Sequence, residues 1–140
     1  MTAIRPALAA DGAAVIALWR ACDLTRPWND PQADFDRALA HAAAIILVAE
    51  EEVAIVGTIM AGFDGHRGWI YYLGTHPEHR GDGIARRLLD AACDWLRRRG
   101  CPKVELMVRE GNEAAGLYAA LGWEPQAVQV FARWLKAPGA

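Results

Sequence analysis

The sequence predicts an α+β fold: a mixed, mostly antiparallel central sheet of about six or seven strands, flanked by about four helices. Three observations carry this. Ile45–Glu50 and Val53–Gly62 are apolar, β-branched runs separated only by Glu51-Glu52, which is how a hairpin reads. Ile84 to Arg99 sets Ile84, Leu88, Leu89, Ala92 and Leu96 on one helical stripe. That helix stands between two short strands, Trp69–Thr75 and Lys103–Val108, so a right-handed parallel crossover should close one side of the sheet.

The remaining elements follow in chain order. Thr2–Pro6 reads as a short first strand. Asp11 is placed to N-cap a helix to about Ala21, with Val15, Leu18 and Trp19 on one face. Cys22–Pro31 is a loop, because two prolines and Asn29-Asp30 break any period. A second helix is expected from Gln32 to about Ala42. Phe63–Gly68 is a polar, glycine-bearing hairpin turn. Gly100 is a natural stop for the long helix, and Arg97, Arg98 and Arg99 sit where the helix dipole favours cations. That arginine run reads as a solvated helix end rather than a site for an anion. Asn112–Leu121 is a short helix ended by Gly122. Val128–Leu135 alternates enough to be a final strand, with a small extra strand near Trp123.

Bulk numbers narrow the function. The 140 residues, 54% apolar, suit a single domain over 1–140 with one core. A formal net charge of −2 argues against a general nucleic-acid binder. Three cysteines, Cys22, Cys93 and Cys101, form no C-x-x-C pair, so neither a zinc knuckle nor a redox pair is expected and no metal is implied. Reduced thiols in the cytoplasm are the simplest reading. The longest apolar run, Ala42–Ala49, is too short to span a bilayer, and Asp11-Gly12 interrupts the alanine-rich start before a signal-peptide core forms.

The stretch from Ile70 to Leu89 carries the chemistry. A short strand gives way to a turn containing Arg80-Gly81-Asp82-Gly83, and a helix opens at Ile84. Free N–H groups and the dipole at a helix start favour a phosphate, and glycines let it approach the backbone. Neither Gly-x-x-x-x-Gly-Lys-Ser/Thr nor a Gly-x-Gly-x-x-Gly after a strand is present. The pattern that stands is Arg80-x-x-Gly83-x-Ala85, preceded by Leu73-x-Thr75-x-Pro77.

That pattern resembles the pyrophosphate loop of the Gcn5-related N-acetyltransferases, which bind acetyl-coenzyme A. The resemblance covers the element order over nearly the whole chain. A second family motif, an asparagine opening a helix, then a tyrosine, then Gly and an aromatic, reads here as Asn112, Tyr118, Gly122-Trp123. The tyrosine follows the asparagine by six residues, one fewer than usual in the family, which on a helix amounts to about 100° of rotation. The segments from Cys22 to Pro31 and Asp64 to Gly68, with Tyr71-Tyr72-Leu73-Gly74, further resemble the small bacterial YpeA-type acetyltransferases.

The resemblance implies an acetyl-CoA-dependent N-acetyltransferase that moves an acetyl group directly to a primary amine, on a small molecule or a protein. Leu73, Gly74 and Thr75 should meet the pantetheine arm and the acetyl carbonyl. Gly81, Asp82, Gly83, Ile84 and Ala85 should hold the pyrophosphate, with Arg80 steadying the loop or reaching a phosphate, and Asn112 and Tyr118 bordering the coenzyme. Tyr118 is the candidate acid for the leaving thiolate. Asp64, His66 and Tyr72 are candidates for a base or relay. Trp28, Asn29, Asp30, Arg67, Tyr71, Arg109 and Glu110 are candidates for the acceptor side, which is expected to open toward the Phe63–Gly68 turn. Trp69–Thr75 contains no glutamate, where some relatives carry their base. That gap and the short Asn112–Tyr118 spacing keep a second reading open, a non-catalytic acyl-CoA sensor or regulatory module. A homodimer is a further expectation.

Overall fold

The computed structural model describes residues 2–137. Five strands form one sheet in the order β1-β2-β3-β4-β5. They are β1 (Thr2–Pro6), β2 (Ala44–Glu51), β3 (Ala54–Phe63), β4 (Gly68–Thr75) and β5 (Val104–Leu106). Four helices flank it: α1 (Gly12–Ala21), α2 (Pro31–Ala40), α3 (Ile84–Arg98) and α4 (Ala114–Ala120). The first four strands are antiparallel neighbours, and β5 lies parallel to β4 across the α3 crossover, as the sequence predicts.

Alternation along β2 divides the core between the two faces of the sheet. Ile46 and Val48 pack under α1 and α2 with Trp19 and Phe35. Leu47 and Ala49 face the other way and meet α3 through Leu88, Leu89, Ala92 and Leu96. Each such fully buried large side chain contributes about 1.5–3 kcal/mol. Gly57 lets α3 sit close: a Cβ there would lie 2.8 Å from Ile84 Cγ2. The backbone of β3 thus seats the first turn of α3.

Three expectations are corrected. The sheet has five strands among the described residues, not six or seven. Among the described residues, Val128–Leu135 forms no strand and neither does the region of Trp123: no edge pairs with them, and a strand is completed only by a partner. The last three residues of the chain lie outside the described range. Asp11 precedes α1 but does not cap it: its carboxylate accepts from Leu8 N at 2.7 Å and pairs with Arg5 at 2.8 Å. β5 covers three residues rather than Lys103–Val108, because β4 turns away from it beyond Ile70.

The arginine run at the end of α3 is satisfied locally. Arg97 pairs with Asp94 at 2.8 Å, and the Arg99 guanidinium lies 3.7 Å from the Trp95 ring centroid. No helix among the described residues is long and apolar enough to cross a membrane.

Candidate active site

The site begins as a fault in the sheet. Thr58 pairs with Gly74 and Met60 with Tyr71, so Tyr72 and Leu73 together stand opposite the single residue Ile59. One extra residue in one strand is a β-bulge, which bends the strand and sharpens its twist. Tyr72 takes a φ of 53° to form it. A positive φ is costly for a bulky side chain, and packing holds this one in place. The Tyr72 ring stacks on Trp19 at 3.9 Å and 11°, and its hydroxyl donates to Asp34 Oδ2 at 2.7 Å.

The bulge lies where β4 parts from β5. Pairing of β4 with β5 stops at Ile70–Leu106, so from Tyr71 to Thr75 the outer side of β4 has no strand partner. Its backbone groups there are free for a ligand. Leu73 packs toward the α3 face, and Tyr118 and Trp123 meet the same cluster. Gly74 faces the opposite way, where a Cβ would come within 2.8 Å of Leu24 and 3.1 Å of Cys22. The α1–α2 loop therefore lies directly on the end of β4.

Beyond β4 comes the loop into α3. Its N-cap is Gly83, in the left-handed region at φ 78°, and no side chain bonds the first turn. Gly81 is also left-handed at φ 88°. A Cβ at either position would meet nothing within 4 Å. The first N–H groups of α3 are thus uncapped beside open space, at the positive end of a 15-residue helix. Arg80 turns back onto the strand, donating from Nε to Thr75 O at 3.3 Å, an oxygen that the Cys22 thiol also approaches at 3.3 Å. The Thr75 hydroxyl is buried with no protein partner, the kind of group a polar ligand satisfies. This donor set fits a diphosphate-bearing coenzyme.

Asn112 and Tyr118 occupy different structural roles. Asn112 lies ahead of α4, and its side-chain oxygen accepts from Ala114 N at 2.8 Å. The spacing to Tyr118 is therefore set by a turn and a helix together, not by rotation on one helix. Tyr118 is half-buried, edge-on to Trp123 at 5.9 Å, and burial raises its phenol above the ordinary range.

The remaining candidates separate by location. Trp28 and Arg109 come together: the guanidinium stands 5.2 Å from the Trp28 ring centroid. This contact joins the α1–α2 loop to the chain leaving β5. Tyr71 is 43% exposed on the unpaired part of β4, and Glu110 follows Arg109. Asp30 is committed to capping α2, accepting from Gln32 N at 3.0 Å and Ala33 N at 3.3 Å, with Asn29 just before it. Asp64, His66 and Arg67 sit in the β3–β4 turn, at the other end of β4, roughly 20 Å from Thr75 at about 3.3 Å per residue. There the Asp64 carboxylate accepts from His66 N and Arg67 N, both at 2.8 Å, and these bonds hold it below the usual carboxylate range. Arg67 approaches Glu105 at 3.5 Å. Tyr72 is held by Asp34, and burial first, then that bond, pushes its phenol far above the usual value. Sequence reasoning missed Asp34; a carboxylate on a helix gives no sign that a strand 38 positions later will claim it.

Comparison with known proteins identifies the family. The acetyltransferase (GNAT) family profile matches residues 13–123. Acetyltransferase ECA0875 of Pectobacterium atrosepticum is 54% identical over 115 residues, covering 81% of this chain and 82% of the relative. Acetyltransferase YE1169 of Yersinia enterocolitica is 53% identical over 113 residues, covering 80% of each. Among solved structures, the aminoglycoside N-acetyltransferase AAC(6')-Iy, bound to a CoA bisubstrate analogue, superimposes with a TM-score of 0.83 at 18% identity, covering 96% of this chain and 98% of that one. A Clostridium acetobutylicum acetyltransferase solved with acetyl-CoA gives 0.79 at 21% identity, covering 95% and 96%. Both structures share the fold, and the curated relatives share the sequence over most of their length: the chain is an N-acetyltransferase and belongs to the Gcn5-related (GNAT) family.

Proposed function

We propose that this enzyme binds acetyl-CoA in the cleft between β4 and β5 and passes the acetyl group directly to a primary amine. The observation that carries this reading is the uncapped start of α3, where Gly81 and Gly83 leave backbone amides open to a diphosphate. With the diphosphate there, the pantetheine arm runs along the unpaired side of β4 from Thr75 toward the bulge. The amide near Leu73 then meets the carbonyl oxygen as it gains charge in the tetrahedral intermediate.

Acetyl-CoA supplies the activated thioester; the protein orients it and manages protons. The amine nitrogen attacks the carbonyl carbon, the C–S bond breaks, and the thiolate takes a proton. Tyr118, like any phenol with an ordinary pKa of ~10, is protonated at neutral pH, burial raises it further, and it is the candidate donor to the leaving thiolate. The amine must lose its own proton. For an alkyl ammonium of pKa ~10.4 that costs about 4.6 kcal/mol at neutral pH, but only about 1.4 kcal/mol for an α-amine near 8. Of the candidates, Asp30, Asp64 and Tyr72 are committed to local bonds, which leaves His66, Tyr71 and Glu110 for this role, with water as relay. The acceptor enters past Trp28 and Arg109.

Direct attack by the amine needs none of the three cysteines as a nucleophile, and burial raises the thiols of Cys22 and Cys93. On this reading transfer is sequential, in a ternary complex. The test is thiol release from acetyl-CoA over a panel of α-amines, lysine peptides, polyamines and amino sugars. Turnover with intersecting initial-rate lines is expected. Parallel lines, an acetylated cysteine, or tight coenzyme binding without turnover on any amine would overturn the reading.

A further inference from the structure

The loop from β4 into α3 is anchored at two points on the β2–β3 hairpin. At its start, His76 N donates to Val56 O at 2.8 Å. Further on, His79 Nδ1 stands 3.2 Å from Glu51 Oε2. A carboxylate only accepts, so Nδ1 is the nitrogen that carries the hydrogen. Local structure aims the ring. Pro77–His79 forms a 3-10 turn, closed by His79 N donating to His76 O at 2.8 Å, and His76 Nδ1 accepts from Glu78 N at 3.2 Å. The two imidazoles meet edge to face at 6.0 Å and 76°. Glu51 closes β2 in register with Thr2 of β1 and Ala54 of β3, so its backbone is held on both sides. Among the described residues, the His79–Glu51 pair is the one side-chain bond that ties residues 77–83 to a strand other than β4; Arg80 only turns back to Thr75 O.

We infer that His79 and Glu51 are positioning residues for the coenzyme: their bond holds the β4–α3 loop in the shape its amides need to receive the diphosphate. The inference rests on the placement of the diphosphate at the start of α3 proposed above. Just beyond His79 come Gly81 and Gly83, at φ 88° and 78°, with nothing within 4 Å of either Cβ position. Glycine has the most backbone freedom to lose, and no side chain packs these two in place. A loop ordered only by its ligand takes that entropy out of the binding free energy; a loop ordered beforehand does not. Glu51 is free for this task. Among the described residues it pairs with no other cation, whereas its neighbour Glu50 is held by Arg5. The two side chains are 31 and 37% exposed, so the bond is of the modest, part-solvated kind. Its effect is correspondingly small, and it is confined to the diphosphate end of the coenzyme.

Titration calorimetry with acetyl-CoA on the full chain tests this. His79→Phe and Glu51→Ala should each weaken binding about three- to fivefold, the scale of a part-exposed pair. The double variant should bind no more weakly than either single. His79→Asn, whose amide nitrogen stands where Nδ1 stood, should keep most of the affinity. S-acetylpantetheine, which carries the thioester without the diphosphate, should bind all variants alike. Losses that multiply in the double variant, a His79→Asn as weak as His79→Phe, or equal losses for the two ligands would each overturn the inference. Unchanged acetyl-CoA affinity in both singles would overturn it too, and Gly83→Glu then separates the two readings. If Gly83→Glu alone weakens binding, the diphosphate sits at the start of α3 and only the bracing role fails. If it also binds as the wild type does, the placement of the coenzyme fails with it. Should His79→Phe not fold, Glu51→Ala decides, because among the described residues the Glu51 side chain makes this bond alone.

Discussion

The Tyr72 hydroxyl donates to Asp34 Oδ2 at 2.7 Å, tying the bulge of β4 to helix α2 on the far side of the Trp19 ring. Asp34 also holds Arg37 at 3.1 Å, so its charge is shared between its own helix and the sheet. The bond fixes the one residue of β4 whose backbone conformation is strained, the residue that forms the bulge. Tyr72→Phe removes the bond and keeps the ring stack. It should cost about 1.5–3 kcal/mol, as expected for a hydrogen bond to a charged acceptor. A lower denaturant midpoint at unchanged slope would show this; an unchanged midpoint would mean that the stack alone holds the bulge.

Gly83 gives a second prediction. At φ 78° with open space around its Cβ position, it tolerates side chains by room but not by backbone. Gly83→Glu should lose about 1–2 kcal/mol of stability through the left-handed conformation. It should also weaken acetyl-CoA binding at least tenfold, through bulk and like charge against the diphosphate. Gly83→Asn, a residue that visits this conformation more readily, should keep most of the binding. Titration calorimetry with acetyl-CoA separates the two; equal affinity in wild type and Gly83→Glu would displace the coenzyme from the α3 start.

The Trp28–Arg109 contact should govern the acceptor rather than the coenzyme. Cation–π pairs at exposed sites are worth about 0.5–1 kcal/mol, so Trp28→Ala should leave the fold nearly intact. We expect KM for the amine to rise severalfold while KM for acetyl-CoA stays put. The reverse pattern would assign the contact to the coenzyme side.

Acid stability rests partly on Arg5, which bonds Asp11 at 2.8 Å and Glu50 at 3.0 Å and so ties β1 to the approach of α1 and to β2. The Asp11 carboxyl lies below its ordinary value, first because of Arg5 and then because of Leu8 N. A depressed pKa in the folded state adds stability that is present above the unfolded value near ~3.9 and is lost as pH falls through the lower folded value. Stability should therefore decline below about pH 4, and Asp11→Asn should lower the plateau and flatten that limb. Denaturant midpoints across this range check the slope; an unaltered slope in the variant would put the acid sensitivity elsewhere.

The sequence by itself determined the helix and strand order as far as α4, the parallel crossover, and the glycine-bearing turn into α3. Each of these is written in local chemistry: an apolar period, a glycine where φ must be positive, a stripe every 3.6 residues. Ile84 to Leu96 needs no distant partner to reveal its buried face. Tertiary structure alone decided the bulge at Tyr72 and its bond to Asp34, and the meeting of Trp28 with Arg109. It also decided that Val128–Leu135, with every local mark of a strand, forms none within the described chain. The physical reason is common to all of these. A strand's register, a bulge and a side-chain pair between distant segments are set by which surfaces are brought into contact. Alternation says that a segment can pair; it carries no information about whether an edge is there to receive it.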